Sequence, residues 1–272
     1  MVVARAVVYA SSMVRQYPLP PAAGKRLIAK ALVGHPWVKD VLRDGRLVIV
    51  AGTTNGYVAE EILGHLRQAV GFNRRYFFRG LTLPPALIAA MAGRPPDAGR
   101  FPGDVVIDMG VWQRAKTLSE IAPALGPGDL ILKGANALDL AAGRAASFID
   151  FPDGGPTAAI LPAVLGRHAR LLVPVGLEKR VTGDLLELDQ RLAGAEDKGL
   201  RLCPLPGVVF TEIDAIALAT GARATLVGGG GVAGAEGSIW LAVEGTQEQM
   251  AQVEALLRKV LLEPAFALDP SG

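Results

Sequence analysis

Four stretches of this chain put residues able to hold an anion or move a proton directly after an apolar run. In the first, Gly52, Thr53, Thr54 and Asn55 separate such a run from a helix-like segment. The first N–H groups of a helix have no intrahelical acceptor and lie at the positive end of its dipole, so an anion is favoured there. Gly52 allows a close backbone approach, and two threonines and an asparagine exceed what capping needs. The turn meets neither GxGxxG nor GxxxxGK[ST], so the dinucleotide and nucleoside-triphosphate fingerprints are both missing. The plainer alternative is a strand-to-helix turn capped by Thr or Asn.

The second stretch is LILKGANALD, residues 130 to 139. Lys133 is placed to neutralise a phosphate or carboxylate, Asn136 to orient a hydroxyl and Asp139 to act as a base, all at the carboxyl end of a predicted strand. A solvated Lys133 and an Asp139 that caps a turn would fit equally well. The third stretch holds Asp153, Gly154, Gly155 and Thr157 before a helix with Pro156 in its first turn, a second candidate anion site; taken alone, a capped glycine loop is the simpler reading. In the fourth, Glu178 and Lys179 follow a strand end, the place for an acid/base or a phosphate contact, although adjacent opposite charges are also common on plain surfaces. The glycine-rich run 228–238, with Glu236 its one charge, could wrap a ligand through its backbone N–H groups, although a flexible hairpin turn is the commoner reading, and Glu212 and Asp214 are expected to favour a helix dipole.

The elements that must carry these residues are legible as alternating patterns. Apolar runs at 47–52, 104–110, 129–136 and 170–176 are continuous rather than alternating, as strands covered on both faces require, and are expected to be parallel. Helical patterns at 56–69, 117–125 and 156–169 lie between them, which predicts an α/β fold: a Rossmann-like, mostly parallel sheet with helices on both faces. The Pro- and Gly-rich segment 79–104 is expected to be a long excursion over the site. Past residue 200 the pattern becomes strand, helix at 211–221, hairpin at 222–245 and amphipathic helix at 246–264. Domains are accordingly expected at 1–200, binding the ligand, and 201–272, a small α+β, ferredoxin-like module. In the last helix Thr246 and Gln249 form a capping-box pattern, and Met250, Val253, Leu256, Leu257 and Val260 form one stripe.

Composition narrows the function classes. The 272 residues are half hydrophobic, enough for a large core. Lys plus Arg number 28 and Asp plus Glu 26, without a long run of either sign, so nucleic acid is not an expected partner. One cysteine, Cys203, excludes an internal disulfide or a multi-cysteine metal cluster, and the three histidines have no zinc spacing; only an all-carboxylate metal site stays open, and no cofactor motif is present. Neither a signal peptide nor a membrane span is expected, and the chain reads as cytoplasmic.

With its parts in this order the chain resembles the superfamily that holds ribose-5-phosphate isomerase, glucosamine-6-phosphate deaminase and the CoA transferases. The resemblance implies a phosphate turn at Gly52 to Asn55, and it sets GDLILKGANALD beside the isomerases' Gly-Ala-Asp turn. Here that turn is Gly134-Ala135-Asn136, so the family's carboxylate is replaced by an amide that cannot take up a proton. The implied function is binding of a small phosphorylated or carboxylated metabolite. As an enzyme the chain would carry out sugar-phosphate isomerisation, with Lys133 or Lys179 polarising a carbonyl and Asp139 or Glu178 moving the proton. The alternatives are acyl or CoA transfer on Glu178 and metabolite binding without catalysis. A homo-oligomer is implied as well.

Overall fold

The computed structural model describes residues 12–79, 82, 103–114, 116–194, 196 and 199–267. Most of the expected excursion lies outside these residues. The chain opens with β1 (Met13–Leu19), α1 (Pro21–Val33), α2 (Pro36–Asp44), β2 (Arg46–Ile49) and α3 (Thr53–His65). Next come β3 (Val105–Asp108), β4 (Val111–Trp112), α4 (Leu118–Ile121), β5 (Leu130–Leu132), β6 (Ala137–Asp139) and β7 (Arg144–Ile149). The remainder is α5 (Gly155–Leu161), β8 (Arg170–Pro174), α6 (Leu185–Ala193), β9 (Arg201–Pro204), β10 (Val208–Phe210), α7 (Glu212–Thr220), β11 (Arg223–Gly229), β12 (Ile239–Gly245) and α8 (Gln247–Val260).

The fold is mixed α/β, built on a six-stranded sheet in the order β10-β8-β5-β2-β3-β4. The first four of these strands are mutually parallel, so their carboxyl ends form one edge. β3 runs antiparallel to β2, pairing Arg46 with Asp108 and Ile49 with Val105, which corrects the expected all-parallel reading of the four apolar runs. An apolar run records burial on both faces and carries no information about direction. Leu47, Val48, Ile49, Leu130, Ile131 and Leu132 are fully buried and form the centre of the core.

Two three-stranded antiparallel sheets flank this one. The order β6-β7-β9 forms a sheet that the sequence pattern did not announce, joined to the main chain path where Val181 N donates to Leu138 O. In the other, β12 is central between β1 and β11. The sheets do not divide near residue 200, because β10 joins the large sheet while the N-terminal β1 joins the C-terminal hairpin. α1, with Leu27, Ile28 and Leu32 buried, touches α3, α7 and α8 and so ties the two regions together. α8 shows the capping box at Thr246 and Gln249 and buries Met250, Val253, Leu257 and Val260. Among the described residues no helix is long and apolar enough to cross a membrane.

Candidate functional site

The ends of β2 and β5 open into a cavity of about 410 Å³. Its first wall is the turn into α3. Gly52 precedes the helix, and no side chain caps it. The first intrahelical bond is Gly56 N to Gly52 O, so the amides of Thr53, Thr54 and Asn55 have no acceptor among the described residues. The turn is held from behind by Asp104, a buried carboxylate whose Oδ1 accepts the Ala51 N–H at 2.8 Å and an Arg79 Nη1 bond at 2.8 Å; Oδ2 accepts Arg79 Nη2 at 3.1 Å. Arg79 and Asp104 are the ends of the expected excursion, clasped by this two-pronged pair, and Arg79 also lines the cavity.

The floor carries the lysines. Lys133 follows β5 directly, and its Nζ donates to Ser147 Oγ at 2.9 Å and to Gly134 O at 3.4 Å. Ser147 Oγ donates in turn to Gly134 O at 3.1 Å. Burial pushes the Lys133 amine down to about 8, the charges of Arg79 and Lys179 push the same way, and Cys203 and Asp104 oppose them. Lys179 Nζ donates to Ala135 O at 2.7 Å. Its amine is also held below the ordinary lysine value, first by burial, with Lys25 acting in the same sense and Glu178 and Glu212 against it. Neither lysine has a carboxylate within ion-pair distance among the described residues. The far wall is Phe148, Asp150, Phe151, Gly154, Pro156 and Thr157.

Of the twelve residues expected to bind the ligand or move its proton, nine line this cavity: Gly52, Thr53, Thr54, Asn55, Lys133, Asn136, Gly154, Thr157 and Lys179. Their individual roles differ from expectation in several places. Asn55 Nδ2 donates to Val50 O at 2.8 Å and Leu132 O at 3.0 Å, so its amide clamps β2 to β5 rather than serving a ligand; its Oδ1 is buried without a partner. Asn136 Oδ1 accepts from Phe148 N at 3.1 Å and holds β7 in place. Gly155 is corrected as a ligand contact, because its N–H is taken by Asp153 Oδ1 at 2.8 Å. Gly154 precedes α5 in the left-handed conformation, φ 76° and ψ −2°, which only glycine adopts without strain.

Asp139 and Glu178 are the larger correction. Both lie in a separate hollow with Arg180, Glu236 and Ser238, away from Lys133. Asp139 Oδ1 accepts from Ala142 N at 3.0 Å, which is turn capping. Glu178 turns back against Gly176 and faces Lys25 and the fully buried Glu212. One residue of strand or turn decides which side of the edge a side chain takes, and spacing alone did not record it. Sequence reasoning also passed over Arg79, Ser147, Asp150 and the two phenylalanines; the available signal for Ser147 was one hydroxyl inside the apolar strand AASFI.

Compared with known proteins, the chain matches no family model, no curated protein and no solved structure. What the site can do therefore rests on its own chemistry. Three cations, one exposed carboxylate in Asp150 and a helix start with unused amides make a cavity suited to a small anion.

Proposed function

We propose that this protein binds a small phosphorylated or carboxylated metabolite at the carboxyl edge of its large sheet. The observation that carries this reading is the convergence of Arg79, Lys133 and Lys179 on one cavity that also receives the unpaired first-turn amides of α3. Lys133 and Lys179 have no carboxylate in ion-pair distance among the described residues, Lys133 lies within reach of the Arg79 and Lys179 charges, and an anion between them relieves that repulsion. The volume, about 410 Å³, fits a metabolite rather than a macromolecular segment. Phe148 and Phe151 supply an apolar wall for its carbon frame.

Within this reading a sugar phosphate is the first ligand class to test, and proton-transfer isomerisation is the reaction suggested by the likeness to the sugar-phosphate isomerase superfamily. Asp150, not Asp139 or Glu178, is the carboxylate on the cavity wall and would carry the proton. The Rossmann-like description of the sheet and assembly into a homo-oligomer belong to the same proposal. Acyl transfer through Glu178 is not favoured, since that residue faces Glu212 and Lys25 instead of the cavity.

The test is thermal unfolding with sulfate, phosphate and a panel of sugar phosphates, on the wild type and on Thr53→Ala and Lys179→Met. An anion at about 100 times its dissociation constant stabilises by roughly 2.7 kcal/mol, a shift of a few degrees. Lys179→Met should lose most of it, and Thr53→Ala, which keeps the helix-start amides, part of it. No shift with any anion, or a shift that both variants keep, would refute the anion site.

A further inference from the structure

We propose that Lys133 is a nucleophile that condenses with the carbonyl group of the bound anion, which makes the ligand class a small carbonyl compound bearing a phosphate or carboxylate. This rests on the anion site proposed above and adds a covalent step to it.

The argument is geometric first. A neutral lysine amine has two N–H bonds and one lone pair, and Lys133 has two acceptors, Ser147 Oγ at 2.9 Å and Gly134 O at 3.4 Å. Ser147 has already committed its own proton to Gly134 O at 3.1 Å, so toward Lys133 it acts only as an acceptor. With both N–H bonds directed into the wall, the remaining tetrahedral direction, that of the lone pair, is left for the cavity that Lys133 lines.

The surroundings support the same role. Burial and two neighbouring cations, Arg79 and Lys179, favour the neutral amine, the arrangement that activates a lysine toward carbonyls. An amine held near 8 is neutral far more often at pH 7.5 than a lysine of ordinary value. Lys179 is less suited: the Glu178 charge opposes the effect of burial on its amine, and its Nζ has one acceptor among the described residues, Ala135 O at 2.7 Å, which leaves N–H groups to hold the anionic end of the ligand.

The step balances without a further reactant. The Nζ lone pair attacks the carbonyl carbon, the C=O π pair moves to oxygen, and a carbinolamine forms. Its oxygen leaves as water with the two hydrogens that the amine gives up, and a carbon–nitrogen double bond remains. Protonation of that nitrogen yields an iminium beside the carrier of the anionic group.

The test is borohydride trapping on the full chain at pH 7.5, with dihydroxyacetone phosphate in one arm and pyruvate in the other, followed by intact mass and peptide mapping. The expected result is one adduct per chain on Lys133, formed at least about tenfold faster than on any other lysine. Excess sulfate should suppress it and Lys133→Arg should abolish it; the arm that labels decides between phosphate and carboxylate. Adducts spread over surface lysines, or concentrated on Lys179, would overturn the proposal. Because sulfate binding is read separately by unfolding, a protein stabilised by sulfate but unlabelled at Lys133 keeps the anion site and loses the nucleophile. A protein that sulfate neither stabilises nor protects loses both.

Discussion

Lys133 sits at the point where charge and burial conflict, and its protonation should be visible in binding. Sulfate keeps its charge across the neutral range, so any pH dependence of its affinity comes from the protein. The folded-state amine titrates near 8, below its ordinary value, and the anion prefers the ammonium form. Sulfate affinity should therefore be highest below about pH 8 and fall severalfold by pH 9, as measured by calorimetry. In Lys133→Met the affinity should be low and its fall over this range smaller, what remains coming from Lys179. A wild-type affinity flat from pH 7 to 9 would mean that Lys133 does not meet the anion.

Among the elements, the joint between β2 and β5 positions the site, and one side chain closes it. Asn55 reaches from the first turn of α3 to the Leu132 carbonyl at the end of β5 and the Val50 carbonyl just past the end of β2. Asn55→Ala removes two buried donors and should cost about 1 to 3 kcal/mol in chemical unfolding. Asn55→Asp should cost more, since it turns a carboxylate toward two carbonyl oxygens. At the opposite end of the chain, Thr246→Ala removes the side-chain acceptor for Gln249 N at 3.3 Å and should cost about 1 kcal/mol without affecting anion binding. The pair of variants separates damage to the site's frame from damage to the fold at large.

On the scale of the whole molecule, two charge clusters, the first partly buried and the second fully so, join segments distant in sequence. Arg26 of α1 bonds Glu263 at 2.7 Å and Glu61 at 2.8 Å and also reaches Glu60, while Arg74 bonds Glu263 at 2.9 Å and Glu60 at 3.2 Å. Arg26→Met should be destabilising by roughly 3 kcal/mol, because it strands carboxylates that, among the described residues, only Arg74 and Lys30 still serve. The second cluster is Glu212 beneath α1; its carboxylate lies where a Cβ at Gly24 would stand, so a side chain there would have to displace it. Burial, and then the charge of Glu178, raise the Glu212 carboxyl well above the usual carboxylate range, against bonds such as Leu177 N to Oε2 at 3.0 Å. The folded state thus holds a proton that the unfolded chain releases near 4.5. Its stabilising contribution is full below that pH and declines as pH rises into the neutral range. Melting midpoints of Glu212→Gln, which keeps an acceptor for Leu177 N, should fall less steeply over that window than those of the wild type.

Much of this architecture is written in local pattern. Continuous apolar runs marked the strands at 47, 105, 130 and 170, the Thr246 and Gln249 spacing marked the start of α8, and the position of Gly52 and Lys133 after strands put them at one sheet edge. These features follow from hydrophobic periodicity and capping chemistry, which act over a few residues. Tertiary structure alone decided the direction of β3, the pairing of β1 with β12, and the removal of Asp139 and Glu178 to another hollow. It also brought Arg79 and Ser147 to Lys133 from 54 and 14 residues away, counting 133 − 79 and 147 − 133. Strand direction, register and the side of an edge that a side chain takes depend on which surfaces pair across the chain, and no short window contains both partners.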